Sequence, residues 1–113
     1  MKLITAIVKP AKLDDVMRAA VGAGARGLTA TDVRGFGQQY GHLDPAVRQS
    51  EQSALVLPKL RIDIVVPDEI SESVAGAIAK SVNTGSIGDG KIWVSAVDSV
   101  LRIRTNERDR SAV

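Results

Sequence analysis

Leu3-Ile-Thr-Ala-Ile-Val8 is a continuous β-prone apolar run, and Lys9-Pro10 ends it. Such a run reads as a strand buried on both faces. Leu13, Val16, Met17, Ala20 and Val21 then recur at helical spacing, which predicts an amphipathic helix, stopped by Gly22 and Gly24. Leu28 to Phe36 reads as a second strand, with Thr29, Thr31 and Val33 on one face.

The second half of the chain repeats this plan. Leu60, Ile62, Ile64 and Val66 alternate with Arg61 and Asp63, giving a third strand with one mixed face. Pro67-Asp68 opens a second helix whose inner face is Ile70, Val74, Ala77, Ile78 and Ser81. Ile92-Trp93-Val94 and Val100 to Ile103 form a last strand or hairpin. The order is β-α-β, a long loop, then β-α-β, so the fold class expected is α+β, the ferredoxin-like βαββαβ plan. One domain spans 1–113. The loop runs from about 37 to 57, and a charged tail from about 105 to 113 is expected to fray.

Composition bounds the rest. The chain has 113 residues, enough for one domain and too few for two. It carries 15 basic and 13 acidic residues, too even a balance to argue for nucleic acid. Basic stretches with interleaved aromatics are absent, so no nucleic-acid partner is expected. There are no cysteines, which excludes disulfides and thiolate metal sites and fits a reducing cytoplasm. No apolar stretch approaches the roughly 20 residues that a membrane helix needs. So small a domain buries a modest fraction of its surface, which favours a homo-oligomer.

Several groups could carry chemistry. Gly35-Phe36-Gly37 ends a strand, where glycines allow either a bulge or close approach of a ligand. Gly88-Asp89-Gly90-Lys91 reads as a plain turn or as an amide nest with a cation, suited to phosphate. Arg102 and Arg104 alternate on one expected strand and so share a face. Either an anionic ligand or ion pairs with Asp63 or Asp89 would reconcile their charges. His42 reads as a solvated loop histidine. No Walker A motif and no serine–histidine–acid pattern is present. Asp14, Asp15, Glu69 and Glu72 sit where they favour helix N-termini.

Taken together, these residues resemble the P-II nitrogen-regulatory signalling family. The resemblance rests on Met1-Lys-Leu-Ile-Thr-Ala-Ile-Val-Lys-Pro10, Lys12-Leu-Asp-Asp-Val16, Gly35-Phe-Gly37, Gln39, Gly41-His42, Leu57-Pro-Lys59, Thr84-Gly-Ser-Ile-Gly-Asp-Gly-Lys-Ile-Trp93 and Arg102-Ile-Arg104-Thr105. It implies a homotrimer with ATP, ADP or AMP bound in clefts between subunits. Gly35, Phe36, Gly37, Gln38, Gly88, Asp89, Gly90 and Lys91 would hold the nucleotide from one subunit. Leu28, Thr29, Arg102 and Arg104 would come from the neighbour, and Asp63 and Val65 belong to the same expected set. Gln39 would help hold Mg2+ with 2-oxoglutarate, Lys59 would pair with that effector's distal carboxylate, and Tyr40 and Gly41 would flank it.

The long loop, the family's T-loop, departs from the pattern. Gln38 replaces a basic residue, Gln52 stands where a modifiable tyrosine is usual, and an extra residue arrives with Pro45. Asp63 replaces a longer glutamate, and Ser50 falls at a position phosphorylated in some relatives. The function implied is a non-catalytic nucleotide sensor in the cytoplasm. Its loop would regulate a membrane transporter or a metabolic enzyme of nitrogen metabolism, and a transporter partner would recruit it to the membrane. The alternative is a regulator of inorganic carbon transport that binds ADP or AMP and bicarbonate. A slow nucleotide hydrolase and a structural trimer without ligand are the remaining readings.

Overall fold

A computed structural model describes residues 1–37 and 56–113. Strand β1 spans Lys2–Val8 and helix α1 Leu13–Gly22, joined by a 3-10 turn at Pro10–Lys12. Strands β2 (Thr29–Gly35) and β3 (Leu57–Val66) follow, then helix α2 (Ser71–Val82) behind a 3-10 turn at Asp68–Ile70. Strand β4 spans Lys91–Ala96, and a 3-10 turn at Asp109–Ala112 comes last. The βαββαβ order is the one the sequence predicts, and it is consistent with a ferredoxin-like α+β fold.

The sheet order is β2-β3-β1-β4, with every neighbouring pair antiparallel. β1 lies inside the sheet, and register fixes its faces. Ile4 sits between Ile64 and Val94, and Ala6 between Ile62 and Ile92. That row points toward the helices, because α1 and α2 pack on one face of the sheet and against each other. Ile4, Ala6, Val8, Leu60, Ile62, Ile64 and Val66 are buried against Val16, Ala20, Val74, Ile78 and Val82. The branched residues suit the pleated surface and the helices supply its cover.

Among the described residues, the opposite face has no helix over it. Along one row run Trp93, Thr5, Asp63 and Thr29, and along the next Lys91, Ile7, Arg61 and Thr31. Thr5 is nonetheless fully buried and donates to Asp63 Oδ1 at 2.8 Å. The expectation that β1 is buried on both faces therefore holds at Thr5, while Leu3 and Ile7 are half-buried. On α1 the buried stripe is narrower than the apolar one: Val16 and Ala20 are buried, whereas Met17 and Val21 face outward.

α1 ends as its glycines predict. Gly24 adopts φ +107, and Ala25 N–H reaches back to the Ala20 carbonyl at 2.9 Å. This is a left-handed helix stop, available to glycine without strain.

Two expectations about the end of the chain are corrected. Residues 100–103 are not a strand: Leu101 makes one isolated bridge with Arg108, and 103–105 form a turn. The tail folds back on the domain. Asp109 N–H donates to the Val100 carbonyl at 2.8 Å, and Ala112 is buried. Asn106 and Asp109 take positive φ, which their short polar side chains tolerate. Turn chemistry thus does the work that the sequence pattern assigned to a hairpin.

Ile62 is wholly buried at the centre of the sheet. Ile62→Ala should cost about 2–5 kcal/mol in a two-state urea melt, as other large-to-small core truncations do.

Candidate ligand-binding site

Because all pairings are antiparallel, the C-terminal ends of β1 and β2 and the N-terminal ends of β3 and β4 meet at one end of the sheet. A cleft of about 510 Å³ opens there, lined by Ile7, Gly35, Phe36, Gly37, Lys59, Gly88, Gly90, Lys91 and Trp93. That volume lies in the usual range for small-molecule sites. Seven of these nine residues are ones the sequence singles out; Ile7 and Trp93 were not assigned to it. Their signal was register, since both point to the helix-free face beside Lys91 and Thr5.

The loop between α2 and β4 forms one wall. Asp89 does not line this cleft; with Gly90 and Lys91 it lines an adjoining one of about 280 Å³. Its carboxylate accepts from Thr84 N–H at 2.8 Å, Gly85 N–H at 3.0 Å and the Thr84 hydroxyl, and pairs with Lys9 at 3.4 Å. The Thr84 hydroxyl and amide, opposed by desolvation and helped by Lys9, hold Asp89 down at about 2 from the ordinary 3.8. Asp89 is therefore a staple that shapes the loop.

Gly88 and Gly90 have φ +95 and +109. A Cβ built on Gly90 would lie 1.8 Å from the Ile7 carbonyl oxygen, an impossible contact. Only glycine lets the loop lie on β1 at that point. Lys59 Nζ reaches across from β3 to the Gly88 carbonyl at 3.3 Å, tying the two walls. Apolar Ile7, Phe36 and Trp93 beside Lys59 and Lys91 give a surface suited to a flat ring carrying an anionic group.

The remaining predicted residues lie elsewhere. Thr29 is opposite Asp63, six residues along β2 from Gly35, which is about 20 Å in an extended strand. Desolvation works to raise Asp63, but hydrogen bonds from Arg61 and Thr5 outweigh it and keep Asp63 below its usual value. Arg102 and Arg104 lie beyond β4, past Val97, whose N–H meets the Met1 carbonyl. They do not share a strand face as expected, since the segment turns there. Among the described residues neither arginine pairs with Asp63 or Asp89: Asp63 is taken by Arg61 and Asp89 by Lys9. Leu28 packs against the core. Val65 sits on the helix-free face opposite Leu3. Gln38, Gln39, Tyr40, Gly41, His42, Ser50 and Gln52 lie outside the described residues.

Comparison with known proteins decides the family. The model of "Nitrogen regulatory protein P-II" matches residues 1–107. The chain belongs to the P-II family. This P-II protein is similar to the nitrogen regulatory protein P-II 1 of Escherichia coli K12, 49% identical over 113 residues and the full length of both chains. It is also similar to P-II of Rhizobium etli (47%) and to GlnK of Escherichia coli K12 (46%), again over 113 residues and both full lengths. As a P-II protein it belongs to a family of nitrogen-regulatory signal transducers. Among the described residues no helix is long and apolar enough to cross a membrane, and no cluster of three or more His, Cys, Asp or Glu could hold a metal ion.

Two outcomes test the loop. Gly90→Ala should lower stability by about 2–4 kcal/mol, since a backbone clash adds to left-handed strain, and should lower Tm by on the order of 10 °C in a thermal melt. Asp89 has a depressed pKa, so its contribution is complete above about 3.8 and lost as pH falls through about 2. Protection of the Thr84 and Gly85 amides against hydrogen exchange should fall in that window, and Asp89→Asn should abolish the pH dependence.

Proposed function

We propose that this P-II protein is a non-catalytic sensor of ATP and ADP. The observation that carries the reading is the cleft: it gathers Gly35, Phe36 and Gly37, Lys59, and Gly88, Gly90 and Lys91 from three separate parts of the chain. The base would lie on the apolar wall and the phosphates beside Lys91 and the amides of the glycine loop. No described side chain offers a paired base and nucleophile at this cleft, and the proposed role is binding, with no chemistry.

A second set, Leu28, Thr29, Arg102 and Arg104, lies toward the opposite end of the sheet from the cleft. One protomer could not bring both sets to one ligand. Head-to-tail packing of identical chains would, and closure of such packing gives a ring. A homotrimer built on the uncovered sheet face is the assembly proposed, with Arg102 and Arg104 of one subunit facing the phosphates held by the next. The exposed Trp93, Leu101 and nearly fully exposed Ile103 (96%) give that contact apolar surface.

Lys59, within the cleft, is the proposed partner of 2-oxoglutarate, with Gln39 and Mg2+ completing that site. The signal would pass through residues 37–57 to a transporter or enzyme of nitrogen metabolism, in the cytoplasm or at its membrane face. The relatives are nitrogen regulators, and none of them supports the bicarbonate alternative. Since Gln52 has no phenol, control by tyrosine modification at that position is not part of the proposal.

Isothermal calorimetry with ATP and ADP, with and without magnesium, tests the reading. Saturable heat is expected, and Lys91→Ala should weaken ATP about 10- to 100-fold, the loss of a charge-assisted contact of roughly 1.5–3 kcal/mol. No binding of either nucleotide at millimolar concentration would overturn it.

A further inference from the structure

The last residues fold back onto the arginine that the nucleotide proposal uses. Arg102 is half-buried; its Nη2 donates to the Ala112 carbonyl at 3.0 Å, and its Nε is buried with no partner. Its own backbone is also held: Arg102 N–H donates to the Glu107 carbonyl at 2.9 Å, and Asn106 N–H returns to the Arg102 carbonyl at 2.8 Å. The turn that supplies the Ala112 carbonyl is anchored in three ways. Ala112 is buried, with 8% exposure, Arg110 pairs with Glu69, and Asp109 bonds to both N–H and C=O of Val100. Arg26, two residues before Leu28, reaches the Val113 carbonyl at 3.5 Å.

These contacts join segments that are far apart in sequence. Arg26 and Arg102 meet through residues 112 and 113; Arg102 belongs to the second half of the proposed site, and Arg26 precedes the Leu28 and Thr29 segment of it. We propose that the C-terminal turn, Asp109–Ala112, is a positioning element: through the Ala112 carbonyl it fixes the Arg102 guanidinium in one orientation, with Nε turned inside and the terminal Nη1 edge left for an anionic phosphate. An arginine has many rotamers, and holding it before the ligand arrives removes an ordering cost from binding. Arg104, two residues on, is exposed and has no such tether among the described residues. The turn therefore distinguishes the two arginines, one preset and one free to adjust.

The proposal rests on the nucleotide reading for its ligand and stands apart from it in its geometry, so two measurements are needed. The full chain is compared with a chain lacking residues 112–113 and with Ala112→Glu, whose charge cannot stay buried and lifts the turn while keeping the chain length. The first measurement is calorimetry with ATP and with adenosine. Both variants should bind ATP about fivefold more weakly, the ordering cost of one rotamer-rich side chain, and adenosine unchanged. In an Arg102→Ala background the truncation should have no further effect. Unchanged ATP affinity in both variants, or an equal extra loss in the Arg102→Ala background, would overturn the proposal. The second measurement is NMR of the Arg102 Nε–H group without nucleotide. Slow exchange and an ordered signal are expected in the full chain, with averaging in both variants. An Nε–H signal equally ordered in all three overturns the positioning role. A full chain that binds no ATP but shows the NMR difference overturns the nucleotide reading alone.

Discussion

The placement of β1 between β3 and β4 governs everything else in this molecule. Hydrogen-bonded on both edges, β1 sets one register for three strands, and that register sends Ile4, Ala6 and Val8 into the core together with Ile62, Ile64 and Leu60. A shift of one residue would turn this whole apolar row to the other face. The same register brings Ile7 to the sheet end where Lys59 and Lys91 arrive from either side. The cleft is thus a by-product of the pairing that builds the core. Its loop wall is pressed on β1 so closely that position 90 can hold only glycine.

Core and cleft therefore share a strand but divide its faces. Even-numbered residues of β1 carry stability, and Ile7 with Thr5 faces the side that has no helix cover among the described residues. Thr5 shows the cost of that division. It is a buried polar side chain, tolerable because Asp63 accepts its hydrogen bond, and Asp63 in turn is held charged by Arg61. The uncovered face is thus ordered by polar contacts along its centre, with apolar residues left at its ends.

Much of this was legible in the residues. Alternation in Leu60–Val66 and the helical spacing of Val16, Ala20, Val74 and Ile78 are local signals, and local signals survive folding. Gly90 could be read as a place of close approach, and it is one, against the Ile7 carbonyl. The bond of the Asp89 carboxylate to Thr84 was not legible, since nothing in a Gly-Asp-Gly stretch says whether that carboxylate points out or back. The end of the chain departs further from its sequence pattern. Alternating Leu101, Arg102, Ile103 and Arg104 imitates a strand, but the path is decided by Asn106 and Asp109 in left-handed conformations and by Ala112 finding the core, which are long-range outcomes. Ile7 and Trp93 escaped notice because an apolar residue in a strand looks the same whether it faces a core or a ligand.

Trp93 has one more consequence. It is the chain's single tryptophan, it stands on the wall of the cleft, and it is 42% exposed to water. All indole emission from the protein therefore originates at one defined spot. Covering that spot with a ring, or with a neighbouring chain, changes the polarity around the indole and hence the colour and strength of its light. The molecule carries its own optical gauge of what occupies the cleft, with no label attached.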